Sequence, residues 1–337
     1  LEISDMLAAP GRVAADYRDP TRELIRTGMK TFLRYTAAAA LLLGATACGP
    51  AEAEFDVAAH KAEIMEWREG RLSRLLAPNG FLTQVGLYWI DDGSYIMGSA
   101  ADSDIVLPAT AAPVVGEIQV ADGAIRMSVA EGVEVRSADG IVTEIGLPAD
   151  TSGENVMLLH RSIAWSVIER GGKYAIRVRD YEHPWVETFG PLPYYDIDPA
   201  WRIEATLHPY AEPREVAVNT VIEGFQQFPV APGTVTFEIA GEEYELEPTL
   251  TGDQLFFVFG DKTNRDVTYG AGRYLYADIP GEDGKFIIDF NKAYSPPCAF
   301  NAFSTCPVAS PRNRLPLRVE VGEKYDPALF YSPDGTP

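Results

Sequence analysis

Apolar residues at Val57, Ile64, Trp67, Leu72, Leu75 and Leu76 recur at near-helical spacing in "FDVAAHKAEIMEWREGRLSRLLA". Asp56 stands where a helix N-cap is needed and "PNG" follows the last apolar position. The pattern predicts a helical segment over 55–80, as one helix or as two short helices broken near Gly70. From Phe81 onward the period falls to two. Segments such as "LTQVGLYWI", "VVGEIQVADGAIRMSVA" and "AWSVIERGGKYAIRVRD" alternate apolar with polar positions and are separated by "DDG", "ADG" and "RGGK". These are strand and hairpin signals. A second set, including "GTVTFEIAGEEYELEPTL", "LFFVFGD", "GRYLYADIP" and "KFIIDFN", follows without an intervening long helical period. Parallel βαβ architecture is thereby excluded.

The fold class expected is mainly β: an N-terminal helical segment, a β-sandwich-like half over 81–208, and a second antiparallel β half over 209–326. Residues 327–337 form a tail. The junction is set within "RIEATLHPYAEPREVAV" (202–218), where Pro209 and Pro213 fall between the two strand-rich halves.

The N-terminal stretch has a different texture. "MKTFLRYTAAAALLLGATAC" (29–48) joins a basic start, Lys30 and Arg34, to an apolar run from Thr36 to Ala47. A bilayer span needs roughly 20 apolar residues, so the run fits a signal-peptide core instead. The ending "ATAC" resembles a bacterial lipobox, with Cys48 as the lipidated first residue of the mature protein. Residues 1–28 are then an upstream extension of the reading frame, and 49–54 a linker. The address expected is the cell envelope, facing the periplasm. Gly49 rather than Asp after the cysteine leans it to the outer membrane.

Charge narrows the partners. The chain carries 28 Lys and Arg against 49 Asp and Glu, a net −21. An acidic body without a basic run repels phosphate backbones, so nucleic acid is excluded as a partner. The membrane is expected as a partner only through the lipid. With Cys48 assigned, Cys298 and Cys306 remain, an even pair in an oxidising compartment, which favours a disulfide. Such a short loop contributes roughly 2–3 kcal/mol. Reduced core thiols and a reactive cysteine are the alternatives. The C-x7-C spacing and four scattered histidines (His60, His160, His183, His208) make a poor zinc site. No metal or cofactor is expected. "DDG" (91–93) and "DSD" (102–104) read as turns, and His183 in "YEHPW" as an aromatic contact of Trp185.

Two resemblances add to this. "IMGSAADSDIVLPATAAPVVGEIQVADGAIRMSV" resembles the opening strands of forkhead-associated β-sandwich domains. Ser99 stands where those domains have Arg, and their Ser-x-x-His is absent. The likeness implies a sandwich and no phosphopeptide reading. Over roughly 60–326, the blocks "FLTQVGLYWIDDGSYIMGSAADSDIVLP", "YAIRVRDYEHP", "WRIEATLHPY", "TYGAGRYLYADIP" and "DFNKAYSPPCAFNAFSTCPVASPRNRLPLRVEVGEK" together resemble the bacterial domain of unknown function 1684 family. Ser295 stands where that pattern usually has Asn, and "GDKTNRD" where it has a "DATSG"-like turn. The resemblance implies fold and boundaries and no activity.

The candidate site lies in the last block. Asp289 and Asn291, two apart on a strand-like segment, should share a face. Arg273 follows Gly270 and Gly272, which permit close backbone approach. With Asn313, Arg314, Glu323 and Lys324, and beside Tyr269, Tyr294 and Phe300, they can converge on a small-molecule ligand. They can equally form a buried network pinning a proline-rich loop. The functional expectation is an envelope-anchored small-molecule-binding or accessory module. The alternative is a hydrolase built on Asp289, Asn291, Arg273 and Arg314. No G-x-S-x-G, H-E-x-x-H, Walker or Rossmann pattern occurs.

Replacing Cys48 by Ser is expected to release the protein from the membrane fraction or leave an unprocessed precursor. A membrane-bound product of unchanged mass would refute the anchor.

Overall fold

The computed structural model describes residues 55–331. The upstream extension, signal segment, Cys48, linker and tail beyond 331 lie outside the described residues.

Helix α1, Val57–Leu76, is continuous through Gly70. The Asp56 carboxylate accepts the Ala58 and Ala59 backbone N–H groups at its start, satisfying donors that a helix N-terminus leaves open. Its buried stripe is His60, Ile64, Arg71 and Leu75. Two of those four are not apolar.

The first β half is a sandwich. One sheet runs, edge to edge, Gln84–Ile90, Lys173–Asp180, Ile163–Arg170, Leu158–His160, Val135–Ser137 and Gly140–Val142. The other runs Ile105–Val106, Gly93–Gly98, Gly116–Ala121, Ala124–Val129 and Glu144–Gly146. All pairings are antiparallel except the short one between Gly93–Gly98 and Ile105–Val106. Trp165, Ile118, Met127, Ile176 and Val178 fill the space between the sheets with no exposed surface. Burial of that apolar area drives the packing. The two acidic motifs are turn elements: Asp104 accepts the Ile96 N–H, and Asp91 accepts and donates to the Tyr95 hydroxyl through its backbone.

The expected junction at 202–218 is different. Arg202–Glu215 is one 14-residue strand, paired with Val230–Ile239 on one side and Lys285–Asp289 on the other. Pro209 is accommodated by a register shift between Pro209 and Arg214, where a lost ladder bond is tolerated. Strand Glu242–Leu246 completes this sheet, and Thr249–Thr251, Gln254–Phe259 and Arg273–Asp278 form a second. Phe257, Phe259, Phe290, Val235 and Ile288 make their shared core.

After Asp289 regular structure nearly ends, and the segment from Phe290 to Tyr331 has only short 3-10 turns and isolated bridges. Side chains hold it. Arg273, fully buried, donates to Asp261 Oδ2 at 2.8 Å and to the Val319 and Val321 carbonyls at 2.7 and 2.5 Å. Gly272 directly before it has φ +111°, and an added Cβ would lie 2.6 Å from the Phe259 carbonyl oxygen, so only glycine fits. Asp261 also accepts the Thr263 N–H and hydroxyl, which orders the turn after strand Gln254–Phe259.

Replacing Asp261 by Asn leaves Arg273 buried without a counter-charge. It should cost about 3–5 kcal/mol in denaturant unfolding. Pairing it with Arg273→Met should cost less than the sum of the single changes.

Candidate functional site

The residues singled out in the sequence do not converge. Arg273 is spent on Asp261 and two carbonyls. Asn313 exchanges hydrogen bonds with the Glu247 backbone N–H and carbonyl and reaches the Val258 carbonyl. Asn291 is cross-linked to Asp198 through that residue's backbone N–H and carbonyl. Arg314, exposed, donates to the Ala309 carbonyl. Lys324 holds its ammonium over the Tyr195 ring at 4.6 Å. The expected common strand face of Asp289 and Asn291 is also corrected. Asp289 ends its strand and caps the following 3-10 turn, accepting the Asn291 N–H, while Asn291 lies within the turn. The network reading describes these groups.

A cavity of about 840 Å³ does open beside them, between α1 and the outer surface of the C-terminal sheets. One wall is a single helical stripe, Glu63, Trp67, Arg71 and Arg74. At 1.5 Å per residue it extends roughly 16 Å. The floor is aromatic. Phe256 stacks on Tyr276 with centroids 4.7 Å apart, Tyr276 lies nearly parallel to Tyr294, and Trp67 packs against Tyr294 at 6.1 Å. Arg202, Lys292 and Asp289 border one part, Gln254 and Asp278 another. Of the residues expected to form a site, only Asp289 and Tyr294 border the cavity.

Two buried polar pairs hold α1 in place. His60 Nε2 lies 2.6 Å from Asp289 Oδ2, and Arg71 Nε donates to Glu323 Oε2 at 3.4 Å. The Arg71 guanidinium also donates to the Ser295 carbonyl and lies 4.5 Å over the Tyr294 ring. Glu323 is completely buried, and Gly322 before it takes φ +81° against the Ala293 carbonyl oxygen. Burial pushes the Glu323 carboxyl above its ordinary value, opposed by Arg71 and by the Ser295 N–H. Burial likewise raises the Tyr294 and Tyr274 hydroxyls, so these rings present neutral phenols.

Behind the Tyr294–Tyr274 wall lie the two cysteines. The expected bridge is not formed: Cys298 and Cys306 are free, buried thiols. They are neighbours, with the Cys298 N–H donating to Cys306 Sγ at 3.2 Å. Burial pushes the Cys298 thiol well above its ordinary value, against a thiolate at that position, while Cys306 is shifted the other way, its burial outweighed by its hydrogen bonds with Cys298. Tyr269 packs on Tyr325 at 5.1 Å and against the cluster that holds both cysteines. His183 caps the short helix α2, Pro184–Thr188, and its ring contacts Tyr331 at 4.7 Å, where the sequence suggested Trp185. Among the described residues no group of three or more His, Cys, Asp or Glu could hold a metal. Nor is any helix there long and apolar enough to cross a membrane.

The fold and cleft define a mainly β protein with a helix-walled cavity of ligand size. A family model described as "Protein of unknown function (DUF1684)" matches residues 187–324. The chain belongs to that family. The uncharacterized protein from gene locus rrnAC0354 of Haloarcula marismortui, solved by NMR, is 31% identical, over 42% of this chain and 79% of that one, at a TM-score of 0.36. A structure reported in a study of phosphothreonine-dependent FHA domain interactions is 18% identical, over 29% of this chain and 96% of that one, at a TM-score of 0.20. No curated protein matches.

Replacing Arg71 by Leu leaves Glu323 buried and uncompensated. Since the folded Glu323 value is raised, the folded state favours the protonated acid. Wild type and variant lose stability together as pH rises from about 4.5 to the raised wild-type value. Losing Arg71 raises the carboxyl further, so the variant's deficit should open as pH rises above the wild-type value, reaching about 3–5 kcal/mol near neutrality. Denaturant titrations across pH measure it, and a pH-independent deficit would refute the coupling.

Proposed function

We propose that this chain is an exported lipoprotein, held to the envelope through Cys48 and facing the periplasm, whose α1 cleft binds a small molecule. The cleft carries the reading. Its volume of about 840 Å³ lies within the roughly 300–1,000 Å³ of small-molecule sites, and it combines ring surfaces with a few polar groups. The hydrolytic alternative finds less support, because three of its four residues are committed to hydrogen bonds away from the cavity. Asp289 itself is saturated by His60 and Asn291.

Ile287 borders the cleft on strand Lys285–Asp289 and is 37% exposed, so a Trp there fills the cavity without entering the core. The mature domain incubated with cell extract should retain a metabolite, detected by mass spectrometry, that Ile287→Trp does not retain. Identical profiles for the two would overturn the reading.

The same address bears on the thiols. On export, Cys298 and Cys306 would join, giving up two protons and two electrons to an oxidised dithiol oxidoreductase of the compartment. The exported protein, denatured without reductant, should resist alkylation by iodoacetamide at both positions, whereas protein made without the signal segment should label at both. Labelling of both in the exported form would refute the bridge.

A further inference from the structure

The ionic partners within the cleft select a ligand class. This step rests on the cleft reading above and concerns what fills it. The carboxylates are already engaged. Glu63 is held by Lys292 at 2.6 Å, Asp289 by His60 and Asn291, and Asp278 accepts from the Gln254 amide at 3.3 Å. Among the cations, Lys292 is neutralised by Glu63 and Arg71 by Glu323. Arg74 and Arg202 are different. Both are exposed, both border the cavity, and neither guanidinium has a hydrogen bond or ion pair with another described residue. Arg202 packs its guanidinium over Phe55 at 5.3 Å, and the carboxylate in its electrostatic reach is Glu63, already taken. Two guanidinium groups without an ionic partner stand out in a chain of net charge −21. Guanidinium forks match carboxylate and phosphate geometry.

The floor adds the second requirement. Tyr276 is 37% exposed and continues, through its near-parallel neighbours Phe256 and Tyr294, into a ring surface reaching Trp67. Such a surface favours a flat apolar face laid on it.

We propose that the cleft binds an anionic small molecule with a flat ring face, its carboxylate or phosphate taken by Arg74 or Arg202 and its ring laid on Tyr276. Asp278, held only by the Gln254 amide, keeps a second anionic group from that part and suits a hydroxyl or amide donor. An aromatic acid and an acidic sugar share this chemistry.

Calorimetric titration of the mature domain with two matched pairs tests it: 2-naphthoate against 2-naphthamide, and digalacturonate against galactobiose. In at least one pair the anion should bind about tenfold tighter or better, and the preference should fall as salt is raised. The pair that responds identifies the ring type. Arg74→Ala combined with Arg202→Ala, both at exposed positions, should remove the preference at unchanged melting temperature. Equal binding of charged and neutral partners, a preference that survives the double change, or no binding by any of the four overturns the ligand class. The cleft itself stands or falls separately, on metabolite retention and its loss in Ile287→Trp.

Discussion

The C-terminal stretch after Asp289 has to bury much of its backbone without strands or long helices, and buried N–H and C=O groups must find partners. Arg273 meets this constraint at the centre. One guanidinium closes Asp261, Val319 and Val321 around itself, and Asn313, Asn291 and Asn301 do the same for other turns. The residues that this stretch lends to the cleft are positioned by that network. Tyr294 is bridged to Tyr274 one residue beyond Arg273, and Glu323 follows the strapped segment directly. The polar residues that look like chemistry in the sequence are thus the framework on which the cavity is built.

Helix α1 is the complementary piece. An amphipathic helix normally buries an apolar stripe, yet this one buries His60 and Arg71 alongside Ile64 and Leu75. Each polar member meets an acid from the far end of the chain, Asp289 and Glu323. Pairs of this kind contribute little net stability, but they penalise any misplacement that leaves a charge alone. They fix how the helix lies over the tyrosines, and so the width of the cleft.

The β alternation, the hairpins and the helix with its Asp56 cap were legible in the sequence because local period and turn chemistry determine them. The long strand through Pro209 was not, since a bulge rescues a proline that locally argues for a break. The site was legible only in part. Asp289 and Tyr294 could be picked out by residue type. Trp67, Arg74, Arg202 and Tyr276 could not, because what makes them a site is the approach of α1, which no local pattern encodes. The faint available signal was a histidine and an arginine on the buried period of α1. The two cysteines were legible as neighbours but not as a bond, since proximity follows from the loop between them and the oxidation state does not.

The pairing of α1 with the chain's last segment also ties the molecule into a loop in sequence. His60 and Asp289 stand 229 positions apart, with the whole sandwich threaded between them. Contacts this distant carry a large loop-closure cost before they are rewarded, so the cleft should be among the last features to form during folding. It also means that the unit recognised as a family segment, 187–324, is not the unit that makes the cavity. Excised at those bounds, that segment would keep the floor and lose the helical wall, together with the partners of two buried carboxylates. The smallest piece of this chain that keeps the cavity whole starts with helix α1 and runs without a break to Glu323.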